Sequence, residues 1–147
     1  MKYIKEKLTI DKVKVQDIAK KFNTPTYCYS YNQLKKNINN FKKIFESFSP
    51  LICFAIKSNT NVKLIREIKK FGLGADVVSM GELMIALKAG ISTKKIVFSG
   101  VGKTSSEISY AIDKKILLIN AESKSEIREI DRIAKIKKKK IQVGIRL

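Results

Sequence analysis

Five short apolar runs with almost no polar alternation restrict what this chain can fold into more than any other feature. They are LICFAI (51–56), ADVV (75–78), IVFSG (96–100), ILLIN (116–120) and IQVGIRL (141–147). A strand with one solvated face alternates apolar and polar residues, whereas strands covered on both faces, as in parallel sheets, read as continuous apolar runs. Between the runs lie segments of helical spacing. Val62, Ile65 and Ile68 share a face across 61–71, and further helical segments cover 105–114 and 123–138. The segment 79–90 is the best delimited: Ser79 is a fitting N-cap, Glu82 stands three residues on as in a capping box, and Gly90 closes the far end. Such β–α repeats, about twenty to thirty residues each, predict crossover units around a parallel sheet.

Upstream, residues 26–29 (TYCY) follow Pro25 and read as a strand, and 31–48 reads as a helix bearing Leu34, Ile38, Phe41, Ile44, Phe45 and Phe48. Pro50 ends it. Two α/β architectures fit the whole pattern: an open doubly wound sheet, or part of a (β/α)8 barrel. A complete barrel takes about 250 residues, and a chain of 147 has a single core and room for roughly five units after the leading strand and helix. The final VGIRL stops inside a strand. The barrel reading therefore predicts a truncated barrel with unpaired strand edges and uncovered apolar faces.

A net charge of +18 invites a nucleic-acid role, but lysines outnumber arginines 27 to 4 and are spread over nearly every segment. Arginine supplies the bidentate contacts that phosphates and bases favour. No nucleic-acid partner is expected, and KIKKKK (135–140) reads as the solvated end of a helix near its negative pole. Cys28 and Cys53 form no CxxC, and histidine is absent, so neither a metal site nor a disulfide framework is expected. MKYIKEKLTIDKVKV at the start never becomes a continuous apolar stretch, which predicts a cytoplasmic protein without membrane attachment.

Two near-matches to phosphate motifs fail on spacing. Gly102-Lys103-Thr104 would need a glycine where Val97 stands to be a P-loop, and Gly72 and Gly74 are followed by Val77 where a dinucleotide fingerprint has its third glycine. Lys103 then reads as a surface-loop residue at a strand mouth. Lys57 is the remaining candidate, at the C-terminal end of FAI, where parallel barrels keep their catalytic groups. Partly apolar surroundings would favour its neutral, nucleophilic amine, as Schiff-base formation requires. From position alone, the alternative is a strand-end lysine reaching into solvent.

These residues carry a resemblance. FAIKSN (54–59) resembles the FAxKAN run of the PLP-dependent ornithine/diaminopimelate/arginine decarboxylase group, whose barrel is of the alanine-racemase kind. GLGADVVSMGELMIALKAG, IVFSGVGKT and AKKFNTPTYCYS resemble further segments of that group in the same order, over about 13–147. The ADVVS, GEL and FSGVGKT run is most similar to its diaminopimelate decarboxylase branch. The resemblance implies an incomplete (β/α)8 barrel over 25–147, preceded by a segment 1–24. It implies pyridoxal 5'-phosphate as cofactor, a small amino-acid substrate, meso-2,6-diaminopimelate giving L-lysine and CO2, and a homodimer for full-length members. Ornithine or arginine decarboxylation and a non-catalytic cofactor-binding barrel are the alternatives.

Residue by residue, Lys57 carries over as the lysine that holds the cofactor, and Asp76 and Arg146 as cofactor-binding residues. Asp76 would pair with Lys57 or order the ring's surroundings; otherwise it caps the helix starting at Ser79. Arg146 would carry an active-site charge, pair with Asp76, or both. Ser58 and Asn59 flank the lysine. Asn23 and Ser30 depart from the group's glycine and aspartate, the latter bearing on a helix cap. The group's cofactor-stacking histidine, phosphate loop, pyridine-pairing glutamate and C-terminal β domain would fall beyond Leu147.

Overall fold

A computed structural model describes residues 1–147 as two compact units, Met1–Pro50 and Leu51–Leu147. The first opens with an antiparallel meander of β1 (Lys2–Ile4), β2 (Lys7–Ile10) and β3 (Val13–Lys14), registered Tyr3 to Leu8 and Ile10 to Val13. Both hairpin loops have two residues, Lys5-Glu6 and Asp11-Lys12, and all four take positive φ between 45° and 71°. That is the backbone of the turn whose twist suits paired strands. Helix α1 (Val15–Phe22) follows, then α2 (Tyr31–Ile44) and a 3-10 turn, Glu46–Phe48. Ser30 does cap α2: its hydroxyl accepts from the Gln33 N–H at 3.0 Å and donates to Asp11 at 2.7 Å. The leading strand expected at 26–29 is not formed. Its aromatic, β-prone residues have no strand to pair with, and Tyr27 is 91% exposed.

The second unit alternates strictly. Strand β4 (Cys53–Ala55) and a 3-10 turn (Ile56–Ser58) lead to α3 (Val62–Lys70), β5 (Gly74–Val77), α4 (Met80–Lys88), β6 (Ile96–Phe98), α5 (Ser105–Lys114), β7 (Leu118–Ala121), α6 (Lys124–Lys137) and β8 (Val143–Ile145). All pairings are parallel and the order is β4-β5-β6-β7-β8. This order decides between the two architectures: a doubly wound sheet reverses direction at a switch point, whereas adding every strand on the same side with right-handed crossovers wraps the helices on one face, as in a barrel.

The core agrees. Ile56, Ala75, Val77, Ile96, Phe98, Ile119 and Ala121 point to one side and join Ile65, Leu83, Ala86, Ile108, Ala111, Ile112, Ile130 and Ile133 of the four helices in a single buried cluster. The opposite face carries Cys53, Ala55, Asp76, Val97, Leu118, Asn120 and Gly144, all only half-buried. In this chain the apolar runs are sealed by helices on one face, and their other apolar residues, Ala55, Val97 and Leu118, stand half-buried on the opposite face.

Helix starts follow a repeated device. Ser79, Thr104 and Ser123 cap α4, α5 and α6, each accepting from the N–H of a glutamate three residues on. Glu107 reaches back to the Thr104 N–H (3.0 Å), closing a capping box. Glu82 and Glu126 reach one residue further, to the N–H groups of Val78 (3.0 Å) and Glu122 (2.7 Å). Each loop leaving the sheet is therefore held by the helix it enters.

Candidate functional site

The C-terminal ends of the strands gather the polar groups of the second unit. Beyond Ala55 the backbone turns sharply. The Ser58 hydroxyl donates to the Ala55 carbonyl (2.7 Å), the Asn59 N–H donates to that of Ile56 (3.0 Å), and the Asn59 side-chain oxygen accepts from the Asn61 N–H (2.9 Å). Asn61 in turn caps α3 through the Lys63 N–H. Ile56 is fully buried beneath this turn, so Lys57 projects from a fixed base. Its side chain is exposed and its amine has neither an ion-pair nor a hydrogen-bond partner. It stands at the end of β4, the first strand of the sheet formed by this chain. Ser58 and Asn59 serve the turn itself.

Asp76 lies within β5, in register with Ala55 on one side and Val97 on the other. It does not cap α4, a role taken by Ser79, and it pairs with neither Lys57 nor Arg146. Its Oδ1 accepts from the Ser99 hydroxyl (2.7 Å), and the Ser99 Oγ accepts from Asn120 Nδ2 (3.0 Å). Burial, and then the negative Asp76, push the Cys53 thiol above its ordinary value. That places thiol and carboxylate on the same open face.

Arg146 follows β8. Its N–H donates to the Ala121 carbonyl and its guanidinium, 65% exposed, stands 3.5 Å from Glu122 Oε1. The expected pair with Asp76 is not made, since β8 is three strands from β5, about 14 Å along the sheet at normal strand spacing. Lys103 corrects a second expectation. It is no surface residue: its side chain is 1% exposed, and its amine donates to the carbonyls of Gly100 (2.7 Å) and Asn120 (2.6 Å) and to Glu126 (3.1 Å).

Ser99 and Asn120 escaped the sequence reading, although each is the polar residue ending an apolar strand run, which is a usable signal. The arrangement offers a free primary amine at the mouth of β4 and, on the next strand, a carboxylate with one oxygen satisfied; the Arg146 guanidinium, beyond β8 and paired with Glu122, is not brought to them. An aldehyde can condense with such an amine, and the small side chain of Ala55 keeps the adjoining face of β4 low. A Cβ on Gly144 would run into the Asn120 side-chain oxygen. This donor set fits pyridoxal phosphate. No group of three or more His, Cys, Asp or Glu side chains is placed to hold a metal ion, and no helix is long and apolar enough to cross a membrane.

Residues 31–147 match the family model described as pyridoxal-dependent decarboxylase, pyridoxal binding domain. A diaminopimelate decarboxylase of Aquifex aeolicus is 40% identical over 147 residues, all of this chain and 34% of that protein. One of Helicobacter pylori strain J99 is 40% identical over 132 residues, 90% of this chain and 33% of its own. A crystal structure of diaminopimelate decarboxylase from M. jannaschii superposes with a TM-score of 0.95 at 35% identity, covering 99% of this chain and 35% of that one. A co-complex of the M. jannaschii enzyme with L-lysine gives 0.93 at 36% identity, over 97% and 35%. The chain spans about a third of the length of these relatives.

Proposed function

Because the chain belongs to the pyridoxal-binding domain family of pyridoxal-dependent decarboxylases, we propose that it supplies the cofactor lysine of a decarboxylase that converts meso-2,6-diaminopimelate to L-lysine and CO2. The observation that carries this reading is Lys57: an unpaired, exposed amine on a braced turn at the mouth of β4, in the strand next to Asp76. Diaminopimelate decarboxylase is the name borne by relatives at 40% identity, and L-lysine, bound in one solved structure of such an enzyme, is what decarboxylation of diaminopimelate yields. In this reading residues 25–147 are the N-terminal part of the barrel, and the whole enzyme is a cytoplasmic homodimer of lysine biosynthesis.

Bound here, pyridoxal phosphate supplies an electron-withdrawing ring that accepts the electron pair left when a carboxylate departs as CO2. The chain's own residues bind and orient. Lys57 offers the amine that holds the cofactor's aldehyde carbon, with loss of water. Asp76 keeps a fixed negative charge on the adjacent strand, which favours a protonated nitrogen beside it. Arg146, outermost and exposed, offers a positive charge to a phosphate or carboxylate.

The test is spectroscopic and then chemical. Pyridoxal phosphate added to the chain should give a visible absorbance band that Lys57→Ala abolishes, and identical spectra would remove Lys57 from the site. Release of CO2 from meso-2,6-diaminopimelate but not from ornithine or arginine, measured on the full-length enzyme, tests the substrate. Preference for either alternative would overturn it.

A further inference from the structure

We propose that Ser99 and Asn120 are positioning residues that fix the direction of the Asp76 carboxyl group on the strand next to Lys57, an assignment that rests on the pyridoxal reading above. Three consecutive strands each send one polar side chain to the open face: Asp76 in β5, Ser99 just past β6, and Asn120 in β7. Asn120 Nδ2 donates to the Ser99 Oγ at 3.0 Å, and the Ser99 hydroxyl lies 2.7 Å from Asp76 Oδ1. The proton order along this chain is forced. An amide nitrogen only donates, so the serine oxygen accepts from it and its single proton goes to the carboxylate. With its proton committed to Oδ1 and its oxygen held by Asn120, the Ser99 hydroxyl ties the Asp76 carboxyl group to one rotamer.

Both intermediates are braced independently of the side chains they serve. The Ser99 N–H donates to the Val77 carbonyl (2.8 Å), and Ser99 is 8% exposed, one of only two buried polar residues in the chain. The main chain of Asn120 is held by Lys103, and the absence of a side chain at Gly144 leaves room for its amide. Asp76 Oδ2 makes no hydrogen bond within the chain, so it is the oxygen left to receive a donor on the open face. A carboxylate fixed in this way presents its free oxygen without first being ordered by the ligand.

The experiment uses the chain with pyridoxal phosphate and four proteins: wild type, Lys57→Ala, Ser99→Ala and Asn120→Asp. Ser99→Ala removes the proton given to Asp76. Asn120→Asp keeps shape but replaces a donor with an acceptor, so the serine proton is drawn away from Asp76. Three readouts are taken: the Lys57-dependent absorbance, the dissociation constant of pyridoxal phosphate, and the visible circular dichroism of the bound cofactor, with far-ultraviolet spectra to report folding. Both relay variants should fold and retain the absorbance, bind on the order of tenfold more weakly, as loss of a hydrogen bond to a charged group implies, and lose most of the visible dichroism per bound cofactor. Wild-type affinity and dichroism in both variants would overturn the relay while leaving Lys57 in place. Coincident spectra for wild type and Lys57→Ala would overturn the relay and the reading beneath it together.

Discussion

Replacing Lys103 with methionine should destabilise the second unit severely, although sequence placed this lysine on the surface. Methionine preserves the aliphatic stem but leaves three acceptors without their donor: the carbonyls of Gly100 and Asn120 and one oxygen of Glu126. Removing one partner of a buried pair costs about 3–5 kcal/mol, because the other charge stays buried. Glu126 is 9% exposed and keeps its 2.7 Å bond from the Glu122 N–H, which places the loss near the lower end, about 3 kcal/mol. For a domain of this size that corresponds to a fall in Tm on the order of 10 °C or more. Urea denaturation followed by far-ultraviolet circular dichroism measures it. Glu126→Gln should cost less, since Lys103 keeps both carbonyls, and the double variant should lose less than the two single losses combined, because the residues share one network. A Lys103→Met protein within about 0.5 kcal/mol of wild type, the range of ordinary surface changes, would refute the buried network.

Three further outcomes follow from the same geometry. Gly74→Ala should destabilise by about 1–3 kcal/mol, because its Cβ would meet the Lys95 carbonyl oxygen and, at 2.9 Å, the Cys53 sulfur; Gly81→Ala, whose Cβ has nothing nearer than 3.7 Å, should be neutral or stabilising, and equal losses in thermal melts would contradict this. A thiol reagent at mildly alkaline pH should label exposed Cys28 rapidly and Cys53 slowly, since burial and Asp76 raise the latter, and matched rates would show that Cys53 is not sheltered. Asp113, hydrogen-bonded first by Lys137 and then by Lys139, is lowered from 3.8 to about 2, and Glu107 is lowered by the N–H groups of Thr104 and Met80. Both are depressed on folding, so their stabilisation is present above the ordinary carboxylate range and lost as pH falls towards about 2. Glu107→Gln should flatten the acid limb of a stability-against-pH curve, and an unchanged limb would remove Glu107 from it.

How legible each element was depends on whether its signal is local. Helix α5 runs over the expected 105–114 because Thr104 and Glu107 mark its start chemically. The N-terminal meander was missed because its turns use Lys-Glu and Asp-Lys, of which only aspartate favours positive φ, in place of Asn-Gly. The expected strand at 26–29 failed for the converse reason: favourable residues do not make a strand without a neighbour. In the site, Lys57 and Asp76 could be put on adjacent strands from the β–α rhythm alone. The partners of Asp76 could not, because Ser99 and Asn120 lie 23 and 44 positions away, and only strand order brings them to it. Lys103 misled for a similar reason, as two of its acceptors are main-chain oxygens, which leave no trace in composition.

The unbroken strand order also sets a timetable. Ala55 to Asp76, Asp76 to Val97 and Val97 to Leu118 are each 21 residues apart in the chain and adjacent in the sheet. Each pairing closes a loop of one length, so the entropy cost of closure is nearly the same at every step. During synthesis from the N-terminus the polar groups therefore arrive in working order: the amine of Lys57, then the carboxylate, then the hydroxyl, then the amide. The carboxylate receives its donors one strand at a time, and the set is complete when β7 is in place, before β8 is needed at all.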